Sequence, residues 1–246
     1  MAHLEGYTFP LEKLKKDSKK KPVVLVACGS FSPVTHMHLR LFELALDHYR
    51  DSEYEVIGQY MSPVTDAYGK KGLASREHRT AMCKLATEPS GIMVDDWEAR
   101  HDSWTPTKQV LDHFEANLTK ALDGKRPLIY LICGTDLLDS FNTPGLWAED
   151  DMHAILGEYG LVCVQRDQTD ATSIVTKNPI MNKHAQNITL INQWMNDITS
   201  STGLRFALGK GYSIRYLTPD SVIEYIYKHG LFGSDVVGPH ITKPSQ

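Results

Sequence analysis

The stretch PVVLVACGSFSPVTHMHLRLFELALDHYR, residues 22–50, joins two patterns of different period. PVVLVAC (22–28) is a short β-branched apolar run closed by glycine, as in a strand buried on both faces. HLRLFELALDHYR (38–50) sets Leu39, Phe42, Leu46 and Tyr49 at three- and four-residue spacing, which predicts an amphipathic helix. The turn between them holds Gly29 and Ser30, then His36 and His38. Strand, small-residue turn and helix start together offer free N–H groups and a partial positive charge to an anion. His38, at the helix start, can add a hydrogen bond or a charge to a phosphate oxygen. Taken alone, His36 reads as part of a solvated turn.

The same alternation continues downstream. Strands are expected at 55–61, 91–98, 126–134, 160–166 and 187–192. Helices are expected at 75–88, with Ser75 as its cap, and at 105–122, with Thr105 as cap and Pro106 at the first helical position. Two more are expected at 202–211 and 218–230, each ended by glycine. Strands alternating with helices predict an α/β fold: a Rossmann-like, doubly wound parallel sheet with helices on both faces. The expected division is a flexible basic arm at 1–21, one domain at 22–232 and a disordered tail at 233–246.

The chain has 246 residues, 41% hydrophobic and 23% charged, with a formal net charge of −4. It can bury a sizeable core, and it lacks the overall basic field of a nucleic-acid binder. No apolar run approaches the roughly 20 residues of a membrane span. The N-terminus has no apolar stretch of the export type. Cys28, Cys83, Cys133 and Cys163 are far apart and read as reduced thiols, most of them in the core. A cytoplasmic or nuclear location follows; KLKKDSKKKP (13–22) serves equally as a nuclear signal or a basic arm.

Ligands of parallel sheets bind beyond the carboxyl ends of the strands. That rule nominates the loops Gly29–His38, Ser62–Gly72, Asp95–Trp104, Gly134–Trp147, the residues from Arg166 onward, and Thr199–Arg205. No G-x-x-x-x-G-K-[ST] and no G-x-G-x-x-G follows the first strand, which argues against a P-loop ATPase or a dinucleotide dehydrogenase. TSSTGLR (199–205) is a second anion receptor: hydroxyls and N–H groups at a helix start, with Arg205 one turn on. Lys70 and Lys71 add cations on a loop. The paired histidines have no carboxylate or cysteine partner nearby in sequence, so no protein metal site is expected.

GSFSPVTHMHLRLFE together with SSTGLR resembles the nucleotidyltransferase superfamily, whose signatures are H-x-G-H and I-S-S-T-x-[IL]-R. SPVTDAYGKKGL (62–73), VDDWE (94–98), CGTDLLDSFNTPGLW (133–147), YGLVCVQR (159–166) and SIRYLTPDSVIEYI (213–226) narrow the resemblance. Together they resemble the eukaryotic nicotinamide mononucleotide adenylyltransferases over about residues 22–232. Thr35, His36, Met37 and His38 occupy the H-x-G-H positions, so only the last histidine is retained and His36 inherits no role. Gly203 stands where animal relatives often carry lysine.

The resemblance implies transfer of AMP from ATP to nicotinamide mononucleotide, and to its acid form, giving a dinucleotide and pyrophosphate. His38 would bind the α-phosphate and Arg205 the leaving phosphates. Gly29, Ser30, Phe31, Thr35, Ser201, Thr202, Gly203 and Leu204 would surround the nucleotide. Lys70, Gly134, Asp136, Leu146 and Arg166 would bind the mononucleotide, with Trp97 and Trp147 stacking on its ring. Trp104 gets no role and is expected to pack in its loop. Mg²⁺ is the implied cofactor, held mainly by the ATP phosphates and water. The implied partners are the two small substrates, with a homo-oligomer allowed and neither nucleic acid nor membrane. Two other readings are another adenylyl- or cytidylyltransferase of this fold and a non-catalytic, chaperone-like binding protein.

Overall fold

The computed structural model describes residues 6–165, 170–195 and 197–234. Strands β1 (Lys21–Gly29), β2 (Tyr54–Pro63), β3 (Ile92–Val94), β4 (Leu128–Gly134), β5 (Leu161–Gln165) and β6 (Ile188–Asn192) form a sheet in the order β3-β2-β1-β4-β5-β6. Every pairing is parallel. The order reverses between β1 and β4, which opens a crevice at their carboxyl ends. Gly29 pairs with Pro63 of β2, and continuing the β1–β4 register puts Gly134 level with Gly29.

Alternation along β1 explains the two cores. Val23, Leu25 and Ala27 point into one, and Val24 and Val26 into the other. The first core lies under α1 (His36–Tyr49), α2 (Arg76–Thr87), α8 (Ser201–Gly209) and α9 (Asp220–Lys228). The second lies under α3 (Thr107–Ala121), α4 (Thr135–Ser140), α5 (Glu149–Gly157), α6 (Ala171–Lys177) and α7 (Pro179–Lys183). Each apolar face of the sheet is thus covered, and the helix starts gather at its carboxyl edge.

Several expectations need correction. Ser75 caps α2 by position but its side chain makes no capping hydrogen bond, and Pro106, not Thr105, holds the cap position of α3. The buried face of α1 is Met37, Leu41, Phe42, Leu44, Ala45 and Tyr49, whereas Leu39 and Leu46 are only partly covered. Helices α4 to α7 fall outside every span that periodicity predicts. The basic arm is not free either. Phe9 and Leu14 pack on the second core, Lys13 Nζ donates to the carbonyls of Thr87 and Ile92, and Lys15 N donates to Ile57 O. Lys15 and Lys21 pair with Glu55 and Glu53. Phe9 and Leu14 thus hold the segment against the domain. The tail from Asp235 onward lies outside the described residues.

Candidate active site

The turn after β1 is shaped by contacts of its own residues. Phe31 takes a positive φ of 44° and folds its ring back over Gly29. A Cβ on Gly29 would lie 3.1 Å from that ring, so the position needs glycine to seat Phe31. The other edge of Phe31 meets the His38 ring, with centroids 5.2 Å apart.

Thr35 caps α1, and its hydroxyl accepts from His38 N at 3.4 Å. In return, Thr35 N donates to His38 Nδ1 at 3.0 Å, and the Thr35 hydroxyl lies 2.8 Å from the same nitrogen. A backbone N–H can only donate. Nδ1 is therefore the acceptor, and the ring proton sits on Nε2. This reciprocal cap turns His38 into an oriented donor. Thr35 is wholly buried, and its hydroxyl is engaged with the imidazole. His36 is exposed, and its N–H is used by Leu217 O.

Helix α8 is bolted to this turn. Ser201 Oγ donates to Pro33 O at 2.7 Å, and Arg205 Nη1 donates to Ser32 O at 2.7 Å. Ser200 caps α8 through Gly203 N, and Arg205 Nη2 donates to Thr202 Oγ1 at 3.2 Å. Partial burial lowers the Arg205 pKa, though a guanidinium stays charged near neutrality. Two helix starts, joined by contacts between residues 168 and 173 positions apart in sequence, thus form one wall. Leu204 is 2% exposed, so its side chain belongs to the core and only its backbone can serve the site.

The opposite wall comes from β2, β3 and β4. Lys70 is exposed on the loop after β2. Gly72 of that loop has φ +78° and sits beside Arg205, whose Nε would lie 3.7 Å from an added Cβ. Gly134 ends β4, and Asp136 is exposed in the first turn of α4. Leu146 is exposed, and Trp147 is half-buried. The Phe141 ring stacks on Trp147 at 4.4 Å and 11°, and Trp147 Nε1 donates to Ser140 Oγ at 3.0 Å. Arg166 lies outside the described residues.

Trp97 is half-buried between two imidazoles. The His113 ring stacks on it at 4.1 Å and 8°, and the His101 ring meets it edge-on at 4.4 Å. His113 is fixed in turn by Asp95, 3.2 Å from its Nε2, and by the Tyr7 hydroxyl at 2.8 Å. Burial, then Asp95, pushes the Tyr7 phenol pKa up, which keeps it a donor. Trp97 is thus a packed ring with an imidazole on one face. Trp104, expected to pack in its loop, is instead 54% exposed just before α3. Tryptophans after a strand were visible in the sequence. The imidazoles of His113 and His101 beside Trp97 were not.

Among the described residues, no group of three or more His, Cys, Asp or Glu side chains is gathered for a metal. The four cysteines are free thiols, three of them buried and Cys28 half-buried.

The cytidylyltransferase-like family model matches residues 26–205, a span that takes in the reversed parallel sheet and the two helix starts joined at its first turn, and this places the chain among the nucleotidyltransferases. Nicotinamide/nicotinic acid mononucleotide adenylyltransferase 1 of Bos taurus is 42% identical, covering 89% of this chain and 92% of its own. Enzyme 2 of that name from Saccharomyces cerevisiae is 44% identical, covering 93% of this chain and 62% of its own. The chain belongs to the family of nicotinamide/nicotinic acid mononucleotide adenylyltransferases. It spans about three fifths of the length of the yeast relatives. The nicotinic acid mononucleotide adenylyltransferase of Plasmodium falciparum, solved with NaAD, superposes with a TM-score of 0.65 at 21% identity. That match covers 87% of this chain and 99% of the other, and it concerns the fold. No described helix is long and apolar enough to cross a membrane.

Proposed function

We propose that the protein transfers AMP from ATP to nicotinamide mononucleotide and to its acid form, releasing pyrophosphate. The observation that carries this reading is the wall in which oriented His38 and Arg205 share one turn of backbone, residues 32–35. An oxygen of the mononucleotide 5′-phosphate attacks the α-phosphorus of ATP. The bond from that phosphorus to the bridging oxygen breaks, and pyrophosphate leaves with the bond electrons. A phosphate monoester has its second pKa near about 6, so the nucleophile is largely a dianion at neutral pH and needs no general base. The protein's task is then positioning and charge stabilisation.

His38 donates from Nε2 to the α-phosphate as charge shifts there. Arg205 and the start of α8 hold the β,γ-phosphates, and Lys70 holds the mononucleotide phosphate. Gly134 and Asp136 face the ribose, since a carboxylate can accept from both hydroxyls. Trp147 stacks on the pyridinium, and Leu146 lines its pocket. Trp97, half-buried like Trp147 and likewise stacked by one neighbouring ring, is the second ring. Mg²⁺ enters as part of the Mg–ATP substrate, held by phosphates and water. The working location is the cytosol or nucleus. Incubating the protein with Mg–ATP and each mononucleotide, and measuring dinucleotide and pyrophosphate, tests the reading. Equal amounts of both products are expected, and pyrophosphate without dinucleotide would refute it.

A further inference from the structure

Arg79 lies on α2, away from the turn that holds His38, yet its side chain is 0% exposed. Nε donates to Ala74 O at 3.0 Å, and Nη1 to Ser30 O at 3.2 Å. Nη2 donates to Val64 O at 2.7 Å and to Asp66 Oδ1 at 2.8 Å. Val64 and Asp66 stand at one end of the loop that carries Lys70, and Ala74 stands at the other. Ser30 belongs to the β1–α1 turn. One planar group therefore grips both ends of the Lys70 loop and the turn beside it.

Two neighbouring contacts run the same way. Ala74 N donates to Ser32 Oγ at 3.0 Å, and Ser32 O accepts from Arg205. Burying a guanidinium is costly unless each donor is used, and here the fork geometry meets acceptors on three separate segments. A single ammonium at the same place could not span them.

We propose that Arg79 is a positioning residue, a clasp at the base of loop 64–74 that fixes Lys70 relative to the β1–α1 turn. The proposal rests on the adenylyl-transfer reading, in which Lys70 holds the attacking phosphate. It makes the separation between attacking phosphate and α-phosphorus depend on a residue that touches neither substrate.

The test uses the full chain with Arg79→Lys and Asp66→Asn, each alone and combined with Lys70→Ala. Hydrogen exchange of amides 66–73, measured without substrate, should quicken in both single variants. The mononucleotide KM should rise roughly 10-fold, the size of one lost charge-assisted hydrogen bond. That rise should vanish when Lys70 is already alanine, because the clasp acts through Lys70. A residue needed only for folding would give the same factor in both backgrounds, and such additivity overturns the proposal. If Arg79→Lys does not fold, Asp66→Asn carries the test, since Asp66 is 48% exposed and outside the core. Unchanged loop exchange in the folded variants also overturns it. Exchange needs no turnover, so an inactive parent protein would contradict the proposed function while exchange still reads the clasp.

Discussion

Thr35 and His38 cap one another: the N–H of each is accepted by the side chain of the other, at 3.0 and 3.4 Å. The bond into Nδ1 puts the ring proton on Nε2, the nitrogen that the proposed function assigns to the α-phosphate. His38→Ala should therefore lower kcat on the order of 10²–10³-fold, the cost of one transition-state donor. His36→Ala, on an exposed ring, should stay within a few-fold. Thr35→Val keeps the shape but removes the hydroxyl, and should cost about 1 kcal/mol of stability together with part of kcat. Steady-state kinetics and urea unfolding on the three variants check this, and equal losses at His36 and His38 would refute the assignment.

Arg205 reaches Ser32 O with one nitrogen and Thr202 Oγ1 with another. Arg205→Lys keeps the charge and loses the fork. Its activity should remain impaired at saturating ATP, because the leaving pyrophosphate is no longer gripped. Full activity at every ATP concentration would remove Arg205 from that role.

The tryptophans should separate into two kinds. Trp97→Ala and Trp147→Ala should raise the mononucleotide KM roughly 2- to 30-fold, for a stack worth about 0.5–2 kcal/mol, and move the ATP KM much less. Phenylalanine at either position should recover part of the loss. Trp104→Ala, on an exposed ring with no assigned role, should leave both KM values within a few-fold. Kinetics beside thermal melts on each variant decide it, and a mononucleotide KM effect at Trp104 as large as that at Trp97 would contradict the assignment.

Glu98 is 3% exposed and accepts from Ser62 Oγ at 2.9 Å. Burial pushes its pKa up from 4.5 to about 8. Between those two values the folded protein holds a proton that the unfolded chain has released. Stability contributed by this site therefore falls as pH rises from about 4.5 to about 8. Glu98→Gln imitates the protonated acid and should flatten that slope, gaining on the parent most at the alkaline end. Urea unfolding at pH 5 and pH 8.5 measures it, and parallel curves for the two proteins would contradict the assignment.

The strand-turn-helix unit at 22–50 was legible because each of its periods ran long enough to be counted. Helices α4, α6 and α7 were not, since each has five to seven residues and spans too few turns for a stripe to show. His38 and Arg205 stood in sequence motifs, so both could be nominated directly. The bonds from Arg205 and Ser201 to residues 32 and 33 could not, because they join distant segments. The stacking of His113 on Trp97 was hidden for the same reason, being a tertiary fact. The N-terminal lysines hid Phe9 and Leu14, whose packing pins the segment.

The central claim is attack of the mononucleotide phosphate on the α-phosphorus of ATP, and following label from ATP tests it most directly. With ATP labelled at the α-phosphorus, the account predicts all transferred label in the dinucleotide. With ATP labelled at the γ-phosphorus, it predicts all label in pyrophosphate. Label from the γ-position on the mononucleotide, or release of ADP in step with turnover, would mean attack at a different phosphorus and would contradict the account.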